Sequence, residues 1–184
     1  MPLNHPDLLN NYNRLFHISE EPGIEIFEPR QSPSYFENIK GDVVFAISGR
    51  LLHNYLLPRD CPRVTWYAGE RTTIADKGKY LNSVAPYVVT VESGWYERIK
   101  STVLYCYEFA ADNFSLLDQC ASYYVSYQQE RPISVTLIGD IIAELLKRNV
   151  ELRFTPSIIQ LADEIKTTSL NFSLIRMRNA KIDR

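Results

Sequence analysis

The side chain best placed by its neighbours to do chemistry is that of His17, in the sequence Leu15-Phe16-His17-Ile18-Ser19. Side chains alternate between the two faces of a strand, so Leu15, His17 and Ser19 share one face and Phe16 and Ile18 share the other. If Phe16 and Ile18 enter the core, His17 and Ser19 point together into a cleft. The alternative is a core histidine whose ring is hydrogen-bonded to a backbone carbonyl.

A second group of reactive side chains lies in the sequence Pro58-Arg59-Asp60-Cys61-Pro62-Arg63. Its two prolines predict a rigid turn, on which two guanidinium groups could hold a phosphate or a carboxylate. A salt-bridged corner between a helix and a strand, with Asp60 paired to either arginine, is an equally good interpretation. Cys61 lies between the arginines, which could lower its thiol pKa, although no histidine or asparagine near it in the sequence would act as its partner.

Other familiar chemistry is absent from the sequence. It contains no GxGxxG, GxxxxGK[ST], GxSxG or HExxH motif, which disfavours the common phosphate-binding loops, serine hydrolases and zinc proteases. The three histidines, at positions 5, 17 and 53, form no pair at metal-ligand spacing, and we expect no bound metal. Three cysteines without a CxxC spacing also disfavour a zinc ribbon or a disulfide scaffold.

The composition narrows the class of protein further. Twenty Lys and Arg residues oppose 22 Asp and Glu residues, a formal net charge of -2 over 184 residues, so no broad basic surface serves duplex DNA. No run of about 18 apolar residues predicts a membrane helix. No charged leader precedes an apolar run, and the cysteines are not arranged for disulfides, so the sequence predicts a cytoplasmic protein.

The elements that must position these side chains are short. Residues 1–12 are polar and contain proline, which predicts a loosely held arm, and residues 13–184 are predicted to form a single domain. Seven or eight predicted strands and three or four short helices follow no regular β-α-β alternation, which favours an α+β fold with a largely antiparallel sheet. The predicted strands cover residues 14–19, 43–47, 64–67, 87–91, 103–109, 123–127, 133–138 and 150–154.

Helices are predicted where a capping residue precedes an apolar stripe. Asp140 precedes the stripe Ile141, Ile142, Leu145 and Leu146. Thr155-Pro156 predicts another helix start, because proline at the first helical position loses no hydrogen bond. Shorter helices are predicted after Ser48 and Gly94. Residues 68–86 are interpreted as a loop, residues 110–121 as a loop or one helical turn, and the basic segment after residue 175 as a solvated tail.

Five segments of the chain resemble those of an uncharacterised bacterial protein family. They extend over nearly the whole chain between residues 14 and 180, which makes the resemblance specific. The function of that family is not known, so the resemblance implies no activity. The segments are residues 17–22, 27–30, 58–63, 92–99 and 175–180.

That family in turn resembles, more distantly, the ADP-ribosyltransferase-like fold of rifampin ADP-ribosyltransferases and RNA 2′-phosphotransferases. In those proteins a first strand carries a histidine after an aromatic residue, similar to Phe16-His17 here. A second strand presents a tyrosine ahead of a short helix, similar in placement to residues 44–48, and a third carries Ser-Tyr-x-x-x-x-Pro-x-x-Val, similar to residues 126–135. The resemblance implies a split, mainly antiparallel sheet that grips NAD in a cleft between its halves.

The resemblance also implies which side chains hold the NAD. His17, with Ser19 beside it, would hydrogen-bond the ribose hydroxyls or the phosphates. Phe45 stands where the tyrosine is expected, so it would stack on the nicotinamide ring without supplying a hydroxyl. Arg59 or Arg63 would neutralise the pyrophosphate.

The third position of the site has three candidates, Gln128, Gln129 and Glu130. Only Glu130 has the charge to stabilise an oxocarbenium-like ribose as nicotinamide leaves. The leading hypothesis is therefore a transferase that takes ADP-ribose from NAD to an acceptor that the sequence does not identify. Its rivals are a catalytically inactive nucleotide-binding module of the same fold and an RNA-end phosphotransferase, which would need several basic groups at the site.

This hypothesis makes a geometric demand on two strands. The strand of His17 and the strand of Phe45 must be close neighbours in one sheet. Residues 17, 19, 45 and 47 must then share one face, with residues 16, 18, 44 and 46 on the other.

Overall fold

The computed structural model describes residues 14–33 and 35–181, so the predicted arm over residues 1–12 lies outside the described residues. The strands are β1 Leu15–Ser19, β2 Val44–Ser48, β3 Arg63–Tyr67, β4 Tyr87–Glu92, β5 Leu104–Phe109, β6 Ser115–Asp118, β7 Tyr123–Ser126, β8 Ser134–Ile138, β9 Val150–Thr155 and β10 Asn171–Ile175. The α-helices are α1 Ile74–Tyr80, α2 Tyr96–Ser101, α3 Ile141–Lys147 and α4 Ile159–Ile165. Short 3₁₀ segments occur at Gly49–Tyr55, Ser93–Trp95 and Met177–Asn179.

The chain divides into two compact units. The six-strand unit combines Met1–Leu52 with Tyr105–Leu137 and is built on a sheet of order β6-β7-β2-β1-β5-β8. The four-strand unit combines His53–Leu104 with Ile138–Arg184 and is built on a sheet of order β10-β3-β4-β9. The α+β class and the mainly antiparallel pairing are confirmed, and the single domain expected over residues 13–184 contains both units.

Strand β1 lies in the interior of the six-stranded sheet. It pairs antiparallel with β2 on one side and, over all five of its residues, with β5 on the other. Leu15 and Phe16 point to opposite faces, and both are buried, as expected for a strand covered on both sides. The expectation that β1 and β2 are neighbours is confirmed.

One face of this sheet carries the core of the six-strand unit, and we call it the His17 face. Its buried members are Leu15, Phe27, Val44, Ala46, Tyr107 and Phe109. The ring of Phe27 meets those of Tyr107 and Phe109 edge-on, at centroid distances of 5.1 and 5.0 Å. The Tyr107 hydroxyl donates to the carbonyl of Glu21 and accepts from the amide of Ile24, at 2.7 and 3.1 Å. These contacts hold the chain that follows β1 down on the His17 face.

The four-stranded sheet is antiparallel except where β4 pairs in parallel with β9. On one face, Trp66 and Val88 pack against Ile158, Ala162 and Ile165. The three- and four-residue spacing of those positions places them on one side of α4 and the turn before it. Full burial of one such aliphatic side chain stabilises a fold by about 1.5–3 kcal/mol, so this stripe fixes α4 on the sheet.

The two predicted starts of the last helices have different outcomes. Asp140 caps α3, since its carboxylate accepts a 2.9 Å hydrogen bond from the amide of Ala143. The start predicted at Thr155-Pro156 is wrong, because Thr155 is the last residue of β9 and pairs with Glu92. Helix α4 begins after Ile158 instead.

Three elements were not predicted, and two of them lie in segments that were expected to be loops. Helix α1 starts at a capping threonine, whose hydroxyl accepts from the amide of Asp76, and it contains Gly78 despite the low helix propensity of glycine. Strand β6 occupies part of residues 110–121, and β10 leads into the basic segment after residue 175. Both are edge strands whose four or five residues carry too few apolar side chains to stand out in the sequence.

Candidate functional site

The predicted site residues fall in both units. His17, Ser19, Phe45 and Glu130 belong to the six-strand unit, whereas Arg59 and Arg63 belong to the four-strand unit. The two groups of residues are therefore described separately, each within its own unit.

His17 and Phe45 lie on neighbouring strands but point to opposite faces of the sheet. Phe16 pairs with Ile47, so the alternation along both strands places His17 on the face of Ala46, away from the Phe45 side chain. The predicted sharing of a face is wrong. A shift of one residue between two paired strands reverses every side chain, and the apolar runs of both strands do not specify that register.

The ring of Phe45 has aromatic neighbours of its own on the far face. It lies 6.1 Å from the ring of Phe36 and 6.5 Å from that of Tyr123, tilted to the first and edge-on to the second. Stacking of Phe45 on a nicotinamide ring that His17 also touches is incompatible with this orientation. The contribution of Phe45 to the His17 face comes from its backbone.

The imidazole of His17 is held by that backbone. Its Nδ1 lies 3.0 Å from the carbonyl oxygen of Phe45, and because a carbonyl only accepts, Nδ1 carries the proton of this bond. The ring also contacts that of Phe27 at a centroid distance of 4.9 Å, and the side chain is half-buried. The bond fixes the tautomer, so in the neutral ring Nε2 is the hydrogen-bond acceptor.

Glu130 is the acidic side chain that the structure places on the His17 face. Its backbone pairs with that of Phe27 through hydrogen bonds of 2.8 and 3.0 Å, which brings it to the edge of the core. Its carboxylate accepts a 2.5 Å hydrogen bond from the hydroxyl of Ser126, whose strand partner Val44 is on the His17 face. Glu130 is 6% exposed, and no Lys or Arg among the described residues forms an ion pair with it.

The three candidates for the third position are now distinguished. Gln128 and Gln129 are exposed, and the amide of Gln129 donates to the carboxylate of Glu28 at 2.6 Å. Glu130 alone among the three is buried against the sheet. The Ser126 hydroxyl accepts a 3.1 Å hydrogen bond from the amide of Gln128. It donates its own hydrogen bond to the carboxylate of Glu130.

Ser19 lies on the His17 face, but its hydroxyl is hydrogen-bonded within the turn that follows β1. Ser19 Oγ accepts a 3.0 Å hydrogen bond from the amide of Glu21. Tyr107, by contrast, was not singled out from the sequence, and Ser126 was noted only as the first residue of a motif; Tyr107 contacts the chain after His17, and Ser126 contacts Glu130. The alternating strand around Tyr107 was predicted, but only its pairing with β1 shows that its hydroxyl reaches the turn.

The guanidinium of Arg63 is buried within the four-strand unit, with 2% of the residue exposed. It donates to the backbone carbonyls of Asn54, Pro58 and Cys61, at 2.9, 3.3 and 2.8 Å, and lies 5.4 Å above the ring of Tyr55. These bonds give Arg63 a structural role in closing the turn over residues 54–61. We therefore leave it out of the ligand site.

The rest of that turn is tied to the chain near residue 180. Arg59 is exposed, and its carbonyl accepts from Arg176 Nε at 3.2 Å. The carbonyl of Asp60 accepts from the side-chain amide of Asn179 at 2.8 Å. The basic segment after residue 175 thus docks on the turn through backbone carbonyls.

The thiol of Cys61 has the opposite character to the one expected beside two arginines. Burial raises its pKa to about 12, and the opposing effect of the nearby Arg63 charge is smaller. The expectation of a lowered thiol pKa is therefore wrong. The guanidinium next to it points its donors at carbonyls, and the thiol itself donates to the carbonyl of Pro62 at 3.7 Å.

The far face of the six-stranded sheet carries an ion pair. Both carboxylate oxygens of Glu108 accept from the guanidinium of Arg14, and one of them also accepts from the hydroxyl of Ser134 at 2.8 Å. The hydrogen bonds from Arg14 hold the pKa of the Glu108 carboxyl below its ordinary value of 4.5. Glu108 and Glu130 are thus two buried carboxylates on opposite faces of one sheet, and only Glu108 has a cation.

Two kinds of feature are absent from residues 14–33 and 35–181. No group of three or more His, Cys, Asp or Glu side chains in this part of the chain is arranged to hold a metal ion. No helix in it has the length and apolar character needed to cross a membrane.

Comparison with known proteins identifies a family. No curated protein and no solved structure matches the chain significantly, so the resemblance to ADP-ribosyltransferases has no support from these comparisons. One family model matches residues 16–180, which include both units and nearly all of the described chain. On that match, the chain belongs to the family of unknown function DUF6886.

Proposed function

We propose that the six-strand unit binds a nucleotide of the NAD or ADP-ribose type on the His17 face and transfers ADP-ribose from it to an acceptor. The observation that supports this proposal is the state of Glu130. Its carboxylate is buried on the same sheet face as His17, with one hydroxyl donor and no cation among the described residues.

The energetics of Glu130 favour a functional role. Burial of an ionised carboxylate costs several kcal/mol unless an opposite charge or a set of donors meets it. One hydroxyl donor is a small compensation for that cost. A ligand that brings or develops positive charge next to Glu130 would supply the missing partner.

An NAD-type ligand develops such a charge during transfer. The bond between the ribose anomeric carbon and the nicotinamide nitrogen breaks, and nicotinamide leaves with the bonding electrons. The ribose becomes oxocarbenium-like, the acceptor forms a new bond to the same carbon, and the acceptor's proton is released. Fixed negative charge near the anomeric carbon lowers the free energy of that transition state.

His17 suits the ribose more than the phosphates. Because Nδ1–H donates to the Phe45 carbonyl, Nε2 of the neutral ring is an acceptor and not a donor. A ribose hydroxyl can donate to that nitrogen, whereas a phosphate oxygen cannot. We therefore assign His17 to a ribose hydroxyl.

A second candidate is a nucleotide-binding module of the same fold that lacks catalytic activity. The orientation of Phe45 favours it, because β2 then presents no aromatic side chain on the face where the ligand would lie. The RNA-end phosphotransferase has less support. It needs several basic groups at the site, and the donors of Arg63 are taken by backbone carbonyls.

The test is a pair of measurements on the wild-type chain and two glutamate variants. Thermal unfolding is followed with NAD and with ADP-ribose, and nicotinamide release from NAD is measured at the same concentrations. A ligand at about 100 times its dissociation constant adds about 2.7 kcal/mol to the free energy of unfolding. Glu130→Gln is expected to keep the NAD-induced shift and lose nicotinamide release.

Glu108→Gln is the matched control, because Glu108 is a buried carboxylate of the same sheet on the far face. It should retain both the shift and the release. Binding without release by the wild type would support the inactive module instead. No shift with either nucleotide would reject both candidates.

A further inference from the structure

The segment that follows β1 lies on the His17 face without forming a helix or a strand, and we call residues 20–30 the strap. The one buried residue within 20–30 is Phe27, whose ring belongs to the core of the six-strand unit. Ile24 is partly buried against the same core, and the other residues of the strap are half-buried or exposed. Attachment of the strap to the core thus depends mainly on one aromatic ring.

Phe27 is a neighbour of both side chains that the proposed function assigns to the ligand. Its ring contacts that of His17 at a centroid distance of 4.9 Å. Phe27 and Glu130 exchange two backbone hydrogen bonds, so their side chains project to the same side from Cα atoms about 5.5 Å apart. Since Glu130 is only 6% exposed, a part of the chain next to it has to move before a ligand reaches its carboxylate.

The strap has few attachments besides the ring of Phe27. The hydroxyl of Tyr107 donates to the carbonyl of Glu21 and accepts from the amide of Ile24, at 2.7 and 3.1 Å. The backbone pairing of Phe27 with Glu130 is an isolated bridge, whereas β1 pairs with β5 over five consecutive residues. Segments with few buried contacts and few backbone bonds open at a lower free energy than the sheet that they cover.

We propose that the strap is a cover that opens while the sheet stays folded, and that the nucleotide binds to the His17 face in the open form. The identity of the ligand rests on the function proposed above, whereas the opening of the strap does not. In the closed form Phe27 fills the space beside His17 and Glu130. In the open form both side chains are accessible, and water satisfies the backbone groups that the strap releases.

Both ends of the strap stay fixed during this opening. The first end continues directly from Ser19, the last residue of β1. At the other end, Arg30 and Val43 exchange two backbone hydrogen bonds, at 3.0 and 2.9 Å. The part that lifts is therefore the middle of the strap, which carries Phe27.

Amide hydrogen exchange of the full chain without nucleotide measures the opening directly. The amides of Phe27 and Glu130 should exchange at least about 100-fold faster than the slowest amides between β1 and β5. Tyr107→Phe removes the hydroxyl that bonds the closed strap, and water replaces that hydroxyl only in the open form. The variant should therefore speed exchange at Phe27 and Glu130 about 10-fold.

Tyr105→Phe is the matched control. Tyr105 lies two residues before Tyr107 on the same face of β5 and is partly buried against the same core. Its hydroxyl forms no hydrogen bond with the described residues. Exchange at Phe27 and Glu130 should stay at the wild-type rate in this variant.

A disulfide across the strap tests its link to binding. Positions 28 and 129 are opposite each other beside the bridge of Phe27 and Glu130, and the amide of Gln129 donates to the carboxylate of Glu28 at 2.6 Å. Opposed residues of such a non-hydrogen-bonded pair have Cα atoms about 4.5 Å apart, within the range of a disulfide. In a Cys120→Ser background, which removes the exposed cysteine, Glu28→Cys with Gln129→Cys should form this bond on mild oxidation.

Thermal unfolding with NAD and with ADP-ribose is then compared in the oxidised and the reduced double-cysteine protein. The oxidised form should lose the nucleotide-induced shift, and reduction with dithiothreitol should restore it. Tyr107→Phe should bind the nucleotide about 10-fold more tightly than the wild type, because the apparent dissociation constant falls as the open fraction rises.

Two results would overturn the cover. One is exchange at Phe27 and Glu130 that is as slow as in the sheet, and the other is undiminished nucleotide binding by the oxidised double-cysteine protein. If neither the wild type, the reduced protein nor Tyr107→Phe binds a nucleotide, the proposed function is rejected instead. Hydrogen exchange, which needs no nucleotide, then still decides whether the strap opens.

Discussion

Arg63 of the four-strand unit and Glu130 of the six-strand unit are both more than nine-tenths buried, and their charges are met in different ways. The guanidinium of Arg63 has three carbonyl acceptors and an aromatic ring beneath it. The carboxylate of Glu130 has one hydroxyl. Arg63 is therefore part of the fold, whereas the function proposed for Glu130 gives its carboxylate a further partner in the ligand.

Arg63→Met is expected to give the largest loss of stability. The substitution retains the apolar stem but removes the guanidinium donors from three buried carbonyls, of which that of Pro58 still accepts from the amide of Cys61. Each carbonyl left without a donor costs about 1–3 kcal/mol. We expect the free energy of unfolding to fall by about 3–5 kcal/mol, measured by urea denaturation. Arg59→Met, at an exposed position of the same turn, should stay within about 0.5 kcal/mol of the wild type. If both variants lost the same free energy of unfolding, Arg63 would have no special structural role in the turn.

Glu108 provides the buried carboxylate that does have a cation, and its effect depends on pH. Because its pKa in the folded state is lowered, its stabilising contribution is present above its unfolded pKa and is lost as the pH falls below about 4.5. At pH 7 the Glu108→Gln change should cost about 1.5–3 kcal/mol, the usual range for hydrogen bonds to charged groups. Denaturation between pH 7 and pH 3 should show the wild type converging on the variant. A gap that persists at low pH would contradict this assignment.

His17→Ala tests how far the imidazole belongs to the fold. Its Nδ1–H bond to the Phe45 carbonyl and its contact with Phe27 are lost together. We expect a decrease of about 1–3 kcal/mol in the unliganded protein, from the orphaned carbonyl and the lost contact. Urea denaturation without nucleotide measures it, and a change below about 0.5 kcal/mol would place His17 among the surface residues.

Glu130→Gln is expected to have the smallest effect on stability. The amide oxygen can still accept from the Ser126 hydroxyl, and the substitution removes a buried charge that has no cation among the described residues. The free energy of unfolding should therefore stay within about 1 kcal/mol of the wild type or increase. A loss as large as that of Arg63→Met would show that Glu130 is fully satisfied, and it would return the residue to the fold.

The sequence predicted most of the strands because buried strands carry continuous apolar runs. Strand β2 was predicted in this way, and β5 was predicted from the alternation along its residues. The α3 cap was predicted because a capping aspartate followed by an apolar stripe is a local pattern. Edge strands β6 and β10 bury fewer side chains, and their signal is correspondingly weak. Local sequence patterns were therefore sufficient to predict the position of a strand where both of its faces are buried.

The candidate site was only partly predictable because its geometry depends on pairing between distant segments. His17 was predicted from its strand, and Glu130 was one of three candidates that the resemblance implied; the structure places both on the His17 face. The face of Phe45 depends on register, which two apolar strands do not encode locally. The role of Arg63 depends on the positions of three backbone carbonyls in the folded chain. The spacing of side chains along the sequence does not predict those positions.

The interleaving of the two units along the chain has a consequence for synthesis on the ribosome. Arg14 and Glu108 are 94 positions apart in the sequence. At ordinary rates of translation, β5 is therefore synthesised roughly 5–20 s after β1. The four-stranded sheet is completed later still, because its strand β10 comes near the end of the described chain. A nascent chain released at residue 104 would contain β1 to β4 and complete neither sheet. Its uncovered apolar strands would then be substrates for chaperones during the first half of synthesis.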